Sequence, residues 1–143
     1  QIRTLVEGHK MSPQEGECIY RRDILGFAES ELGQRMKRAA QDKKLYREQP
    51  FVMKVGRKEL DASWSGDETV LVQGIIDAYF LEGEDIVLVD YKTDRIARGE
   101  ENKLIERYKT QLEDYASALE RMLHKKVKQK YIYSFALRKE LLL

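Results

Sequence analysis

The sequence predicts an α/β fold in which helices flank a mixed β-sheet. Three observations indicate it: helical patterns fill the first 44 residues, strand patterns follow to residue 92, and a long amphipathic helix then precedes one more strand. A strand that follows a hairpin through a long helix usually returns parallel to it by a right-handed crossover, so the sheet is expected to be mixed. With 143 residues, the chain is long enough for one domain with a real core.

The first 44 residues form the predicted helical lead-in. Residues 1–10 have the pattern of a helix end, and Ser-Pro-Gln-Glu at residues 12–15 has the form of a capping box for a short helix. Asp23 is predicted to cap the next helix, which ends around residues 41–44. The apolar side chains of that helix recur at near-helical spacing: Phe27, Leu32, Met36 and Ala39 or Ala40.

Composition excludes several classes of protein. Charged residues make up 36% of the chain but the net charge is only +1, so any nucleic-acid contact must come from local patches. Cys18 is the single cysteine, which excludes a disulfide or a cysteine-rich metal cluster within this chain. His9 has no acidic or histidine partner at ligand spacing, so we expect it to be solvated. No apolar run is long enough to cross a membrane, so we expect a cytoplasmic protein.

The strand region begins at Leu45. Residues 45–55 are predicted to form a strand, and Pro50 within it indicates an edge strand or a strand start. Residues 57–69 are predicted to be a loop or a loosely paired return strand, with Trp64 either over the sheet or exposed. Residues 73–92 have the pattern of two apolar strands joined by a tight turn.

Three charges lie within this apolar hairpin. A type II′ turn at Gly83 and Glu84, or a four-residue loop with the same centre, places Asp77 directly across from Asp90. Because side chains alternate along a strand, Lys92 is predicted to share the face of Asp90. The same alternation puts four apolar side chains on this face: Ile75, Tyr79, Ile86 and Leu88.

The two opposed carboxylates need a compensating positive charge. Their Cβ atoms would be roughly 5 Å apart, and like charges at that position destabilise a sheet. Burial adds a further cost unless a cation lies between them. A bound hard cation with oxygen ligands removes both costs. Lys92 could instead neutralise the pair as a buried ion cluster that fixes the register of the sheet, and the spacing leaves both interpretations open.

The strongest helix pattern covers residues 101–123. Apolar residues recur there at steps of three and four: Leu104, Ile105, Tyr108, Leu112, Tyr115, Leu119 and Met122. Gln111 and Tyr115 are four residues apart, so they are neighbours at the edge of this stripe. Taken alone, they are typical of a solvated glutamine and a core tyrosine with its hydroxyl at the rim.

A basic segment, residues 124–130, follows the long helix. It leads into the last predicted strand, residues 131–137. Charges at this position would protect an edge strand from mispairing, or they would contact phosphate. Both interpretations remain open.

Three short motifs carry a resemblance to a known family. Residues 74–77 (Gly-Ile-Ile-Asp) resemble the GxxD motif, residues 90–92 (Asp-Tyr-Lys) the DxK motif, and residues 111–115 (Gln-Leu-Glu-Asp-Tyr) the QxxxY motif of RecB-type nucleases in the PD-(D/E)xK superfamily. Ile76 stands where the superfamily name has proline, as is usual for the GxxD form. Over most of its length, the chain is similar to the C-terminal nuclease domains of AddA-type helicase-nucleases.

The resemblance implies a restriction-endonuclease-like fold and a metal site. Asp77 and Asp90 would bind Mg²⁺, with Mn²⁺ as an alternative metal. The backbone carbonyl of Tyr91 would be a further ligand. Glu48, which precedes Pro-Phe at residues 50–51, resembles the acidic position on the strand before the hairpin and is a candidate third carboxylate.

The resemblance also implies roles for three other residues. Lys92 would orient or activate the attacking water, which fits the need of phosphodiester hydrolysis for a positioned nucleophile. Gln111 and Tyr115 would border the site and help hold DNA. Residues 1–143 would form one nuclease domain, with the helical lead-in at residues 1–44 and the sheet, catalytic hairpin and crossover helix at residues 45–143.

The implied function is a Mg²⁺-dependent DNA exonuclease domain of an ATP-dependent helicase-nuclease for double-strand-break repair and recombination in bacteria. Its partners would be DNA, the helicase portion of the same chain and a second, AddB-like subunit. The chain lacks the glycine-rich phosphate loop of an ATP motor. It starts at Gln1 and has no match for a further histidine of the family, so we expect a fragment that can be inactive alone. The alternative function is a DNA-docking or subunit-interaction module with structural carboxylates.

Overall fold

A computed structural model describes residues 21–56 and 68–143 as a five-stranded mixed sheet with helices on both faces. The elements are α1 (Arg21–Glu29), α2 (Glu31–Gln41), β1 (Leu45–Gly56), β2 (Thr69–Glu82), β3 (Asp85–Lys92), α3 (Glu101–Leu123), β4 (Val127–Ser134) and β5 (Lys139–Leu142). Strands lie in the order β1-β2-β3-β4-β5, and only β3 and β4 are parallel. The predicted α/β class, which a restriction-endonuclease-like fold shares, is confirmed.

Each face of the sheet carries its own apolar core. The α3 face buries side chains of the strands and the helix: Phe51, Ile76, Tyr79, Ile86, Leu88, Leu104, Leu112, Ala118, Leu119, Ile132 and Leu141. The opposite face packs against α2, with a core of Leu32, Met36, Ala39, Ala78, Phe80, Val87, Val89 and Tyr133. The central strand β3 supplies both cores, since its side chains alternate between the two faces.

The long-helix and hairpin predictions are confirmed. The helix α3 spans Glu101–Leu123, as the apolar stripe predicts. The pair Glu82↔Asp85 closes a two-residue turn, and Gly83 adopts a φ of 64°, which glycine reaches without steric cost. Edge strand β1 contains Pro50, and β4 runs parallel to β3.

The lead-in differs from its prediction. Two helices, α1 and α2, replace the single helix that Asp23 was expected to cap. Ser30 separates them, because its hydroxyl donates to the Phe27 carbonyl at 2.9 Å and accepts the Gly33 N–H at 3.1 Å. Asp23 lies inside α1 and forms an ion pair with Arg138 instead. The predictions for residues 1–20, with His9 and Cys18, and for Trp64 lie outside the described residues.

The face predicted for Ile75 is wrong. Ile75 is 59% exposed, whereas Ile76 is fully buried in the same core as Tyr79. Strict alternation fails because pairing between β1 and β2 skips Glu48 and Asp77, where Glu48 has a φ of 48°. The irregularity shifts the alternation of both strands by one residue.

The end of the chain forms two strands where one was predicted. The strand β4 begins at Val127 and ends at Ser134, so the second half of the basic segment belongs to it. The short strand β5 then pairs antiparallel with Tyr131–Ser134. The predicted strand over residues 131–137 is therefore shifted, because a turn at residues 135–138 interrupts it.

Candidate active site

The candidate site lies where β2 and β3 separate. Regular pairing of the two strands ends at Ala78↔Val89, one position before Asp77 and Asp90. Beyond it, Oδ2 of Asp77 accepts the backbone N–H of Tyr91 at 2.8 Å. A side-chain carboxylate therefore takes the place of a backbone acceptor, and the two strands diverge around the two aspartates.

Asp90 is a buried carboxylate, with 2% of its side chain exposed. Its Oδ2 lies 2.8 Å from Nζ of Lys92, yet no described group donates a well-aligned hydrogen bond to this oxygen. Burial raises the pKa of Asp90; the Lys92 ammonium opposes this rise, and the nearby Asp77 carboxylate adds to it. The site thus holds a buried negative charge with spare acceptor capacity.

Lys92 is held by contacts with two elements. Besides its ion pair with Asp90, Nζ donates to Oε1 of Gln111 at 3.0 Å and lies 4.0 Å from the centre of the Tyr108 ring. Only 13% of the Lys92 side chain is exposed. The ammonium therefore has little freedom to move, because a strand carboxylate and two side chains of α3 fix it.

Residues of the first and third motifs meet beside this lysine. Nε2 of Gln111 donates to the hydroxyl of Tyr115 at 2.7 Å. The Tyr115 ring packs edge-on against Phe51, with 5.5 Å between ring centres. A Cβ on Gly74 would lie 2.9 Å from the Phe51 ring and 3.6 Å from the Tyr115 ring, so glycine is required for this close approach.

Glu48 is placed opposite Asp77, between the pairs Arg47↔Ala78 and Gln49↔Ile76. It is exposed. In the described part of the chain, no three acidic, histidine or cysteine side chains are grouped closely enough to hold a metal. Mg²⁺ is commonly held by one or two carboxylates, with water and substrate phosphates completing its shell. Asp77 and Asp90 fit that requirement without Glu48, and the roles of Glu48 and of the Tyr91 carbonyl stay predictions.

Sequence reasoning missed a second layer of the site. The hydroxyl of Tyr108 donates to the Asp94 carboxylate at 2.9 and 3.0 Å, and Arg107 forms an ion pair with the same group at 2.9 Å. The Tyr108 hydrogen bond is the main reason that the pKa of Asp94 lies below its usual range. Tyr108 precedes Gln111 by three residues, so helical spacing could have placed it on the site face.

Comparison with known proteins gives one consistent result. No family model matches the chain. It is 41% identical over 146 residues to an AddA-type ATP-dependent helicase/nuclease of Clostridium perfringens, and 43% identical over 140 residues to the protein of the same name in Acetivibrio thermocellus. These matches cover 99% and 94% of this chain but only 12% and 11% of the relatives. The chain therefore spans about one eighth of the relatives' length.

The helices offer no membrane anchor in the part of the chain that the structure describes: none is long and apolar enough to cross a bilayer.

Proposed function

We propose that the chain is a metal-dependent nuclease domain that hydrolyses phosphodiester bonds of DNA. One observation carries the proposal: a buried carboxylate, Asp90, has an oxygen without an aligned donor, beside Asp77 and an immobilised Lys92. A sheet held together by this ion cluster alone has no need for that spare acceptor. The names of the relatives, which include both helicase and nuclease, agree with this interpretation.

The two aspartates would hold Mg²⁺ or Mn²⁺ at the point where β2 and β3 diverge. A metal bound there supplies charge stabilisation for the transition state and lowers the pKa of a bound water. Asp77 keeps one oxygen on the Tyr91 N–H, which fixes the direction of its carboxylate. Asp90 directs Oδ2 toward Lys92, so a carboxylate and a proton donor point at the same place.

The remaining residues would position water and DNA. Lys92 would hold the attacking water or donate a hydrogen bond to the scissile phosphate, because Gln111 and Tyr108 hold its ammonium in place. Tyr115 accepts its hydrogen bond from Gln111, so its own hydroxyl proton is available for a phosphate oxygen. DNA contact at Gln111 and Tyr115 follows from the same geometry.

In the cell, this domain would act within a longer ATP-dependent helicase-nuclease, as an exonuclease in double-strand-break repair and recombination. The ATP motor would lie in the rest of that protein, and a second, AddB-like subunit would complete the machine. These assignments rest on relatives that are about eight times longer than the chain.

The test is DNA cleavage by the longer protein with Asp77→Ala or Lys92→Ala. Each change should lower kcat by about a hundredfold or more, the scale seen when one group that stabilises a transition state is removed. Asp85→Ala, at the turn of the same hairpin, is the matched control and should leave cleavage unchanged.

Unchanged Mg²⁺-dependent cleavage in both variants would refute the proposal. In that case the alternative, a DNA-docking or subunit-interaction module, predicts a different result. Asp77→Asn would then stabilise the metal-free fold, because it removes one of two neighbouring like charges, and it would leave DNA affinity and the response to Mg²⁺ as they are.

A further inference from the structure

We propose that a basic depression beside the candidate active site binds phosphates of the DNA strand next to the scissile one. Arg98, Glu101, Leu137, Arg138 and Lys139 line it. Three of its five side chains are cations and one is an anion. The inference rests on the proposed nuclease function and extends it to a second contact with the same substrate.

The pairing of the strands places this depression close to Lys92. Lys92 lies opposite Ser134 of β4, and Ser134 lies opposite Lys139 of β5. Neighbouring strands are about 4.8 Å apart, so the backbones at Lys92 and Lys139 are separated by about 10 Å. In duplex DNA, where phosphates of one strand repeat every 3.4 Å along the axis, that distance corresponds to about three nucleotides.

Both lysines also contact the same helix. Lys92 bonds to Gln111 of α3, and Lys139 lies 3.5 Å from the carboxylate of Glu101 at the start of α3. The basic depression and the aspartate pair therefore lie on one face and at one end of the sheet. A DNA strand could reach both without crossing an edge of the sheet.

The cations of the depression are accessible to a phosphate. Arg98 is exposed and has no ion-pair partner among residues 21–56 and 68–143. Lys139 is 59% exposed despite its pair with Glu101, and Arg138 is 40% exposed despite its pair with Asp23. Exposed ion pairs of this kind contribute little, so a phosphate can share or replace the carboxylates at small cost.

The basic segment at residues 124–130 does not serve the same phosphates. Val127 pairs near Ile86 at the opposite end of β3, whereas Ser134 pairs with Lys92. Seven residues of strand separate the two ends, a distance of about 23 Å. The cations nearest the site are therefore those of the depression, which the sequence pattern did not single out.

The test uses the full-length protein and a short oligonucleotide, with the double change Arg98→Ala and Lys139→Ala. Each lost phosphate contact should reduce the slope of log affinity against log salt by about 0.7 for a single strand. We expect KM to rise about fivefold to tenfold at moderate salt, with kcat within about twofold. Lys37→Ala with Lys128→Ala removes the same charge elsewhere and should leave KM and the slope unchanged.

Uncharged methylphosphonates at positions one to three nucleotides from the cleavage point supply the second arm. They should raise KM for the unchanged protein but not for the double variant, because its phosphate contacts are already lost. An unchanged salt slope in the double variant would overturn the inference. So would competition by inorganic phosphate at this site with no effect of the methylphosphonates, since the site would then take free phosphate.

The slope is also measured for DNA binding by the Asp77→Ala protein. This readout separates the two proposals, because it needs no cleavage. Full cleavage by Asp77→Ala refutes the nuclease proposal, whereas an unchanged binding slope after loss of Arg98 and Lys139 refutes only the phosphate site.

Discussion

Lys92 is the residue on which the candidate site depends, because it joins the catalytic hairpin to α3. Its ammonium lies 2.8 Å from Asp90, 3.0 Å from Gln111 and 4.0 Å from the Tyr108 ring centre. Strand alternation predicts that Lys92 and Asp90 share a face, since the two are only two residues apart. The contact with Tyr108 was not predicted, because it depends on how α3 crosses the sheet.

Tyr108 provides the first prediction at this scale. Replacing Tyr108 by Leu removes the ring that holds the Lys92 ammonium, so kcat should fall about two- to thirtyfold with KM nearly unchanged. Tyr108→Phe keeps the ring and loses only the Asp94 hydrogen bond, so most of kcat should remain. Steady-state cleavage kinetics distinguish the two variants. Equal losses in both would show that the ring face has no part in holding Lys92.

At the scale of elements, the divergence of β2 and β3 makes the site. The hairpin register follows from local signals, namely a glycine turn and two apolar strands, so it was predictable. The left-handed backbone of Glu48 was not, because residues with this conformation are usually glycine or asparagine. The resulting face switch moved Ile75 outward and Ile76 inward, which strict alternation could not anticipate.

Gly74 provides the prediction at the scale of elements. Gly74→Ala should destabilise the fold by about 1–3 kcal/mol, because the added methyl group overpacks against the buried ring of Phe51. It should also displace Tyr115 and lower cleavage. Urea unfolding measures the loss. Gly26→Ala is the control: its Cβ has only ordinary contacts in α1, so stability should stay equal or rise.

A Gly74→Ala protein as stable as the unchanged one would contradict the close approach of β1, β2 and α3 at this point. A stable variant with normal cleavage would further show that the Tyr115 ring tolerates displacement.

For the whole molecule, periodicity was enough to predict the layered architecture. Helix and strand periods identified α3, the hairpin and the parallel return of β4, because each has a strong local pattern. The short strand β5, Lys139–Leu142, was missed, since four residues with two leucines carry no clear strand signal. That miss had a consequence for function, because β5 brings Lys139 to the same end of the sheet as Lys92.

The candidate site was predictable in its residues and not in its surroundings. The motif spacing named Asp77, Asp90, Lys92, Gln111 and Tyr115, and contacts now link Lys92 to Asp90 and Gln111, and Gln111 to Tyr115. Tyr108, Asp94 and the basic depression depend on long-range packing, which local spacing does not encode. The metal itself remains the central claim to be tested.

The most direct test is calorimetric titration of the protein with Mg²⁺ and Mn²⁺, comparing the unchanged chain with Asp77→Ala and with the control Asp85→Ala. The proposed site predicts saturable binding that Asp85→Ala keeps and that Asp77→Ala weakens at least tenfold, because one of two carboxylate ligands is lost. Equal binding by all three proteins, or no binding by the unchanged protein, would contradict a metal site at Asp77 and Asp90.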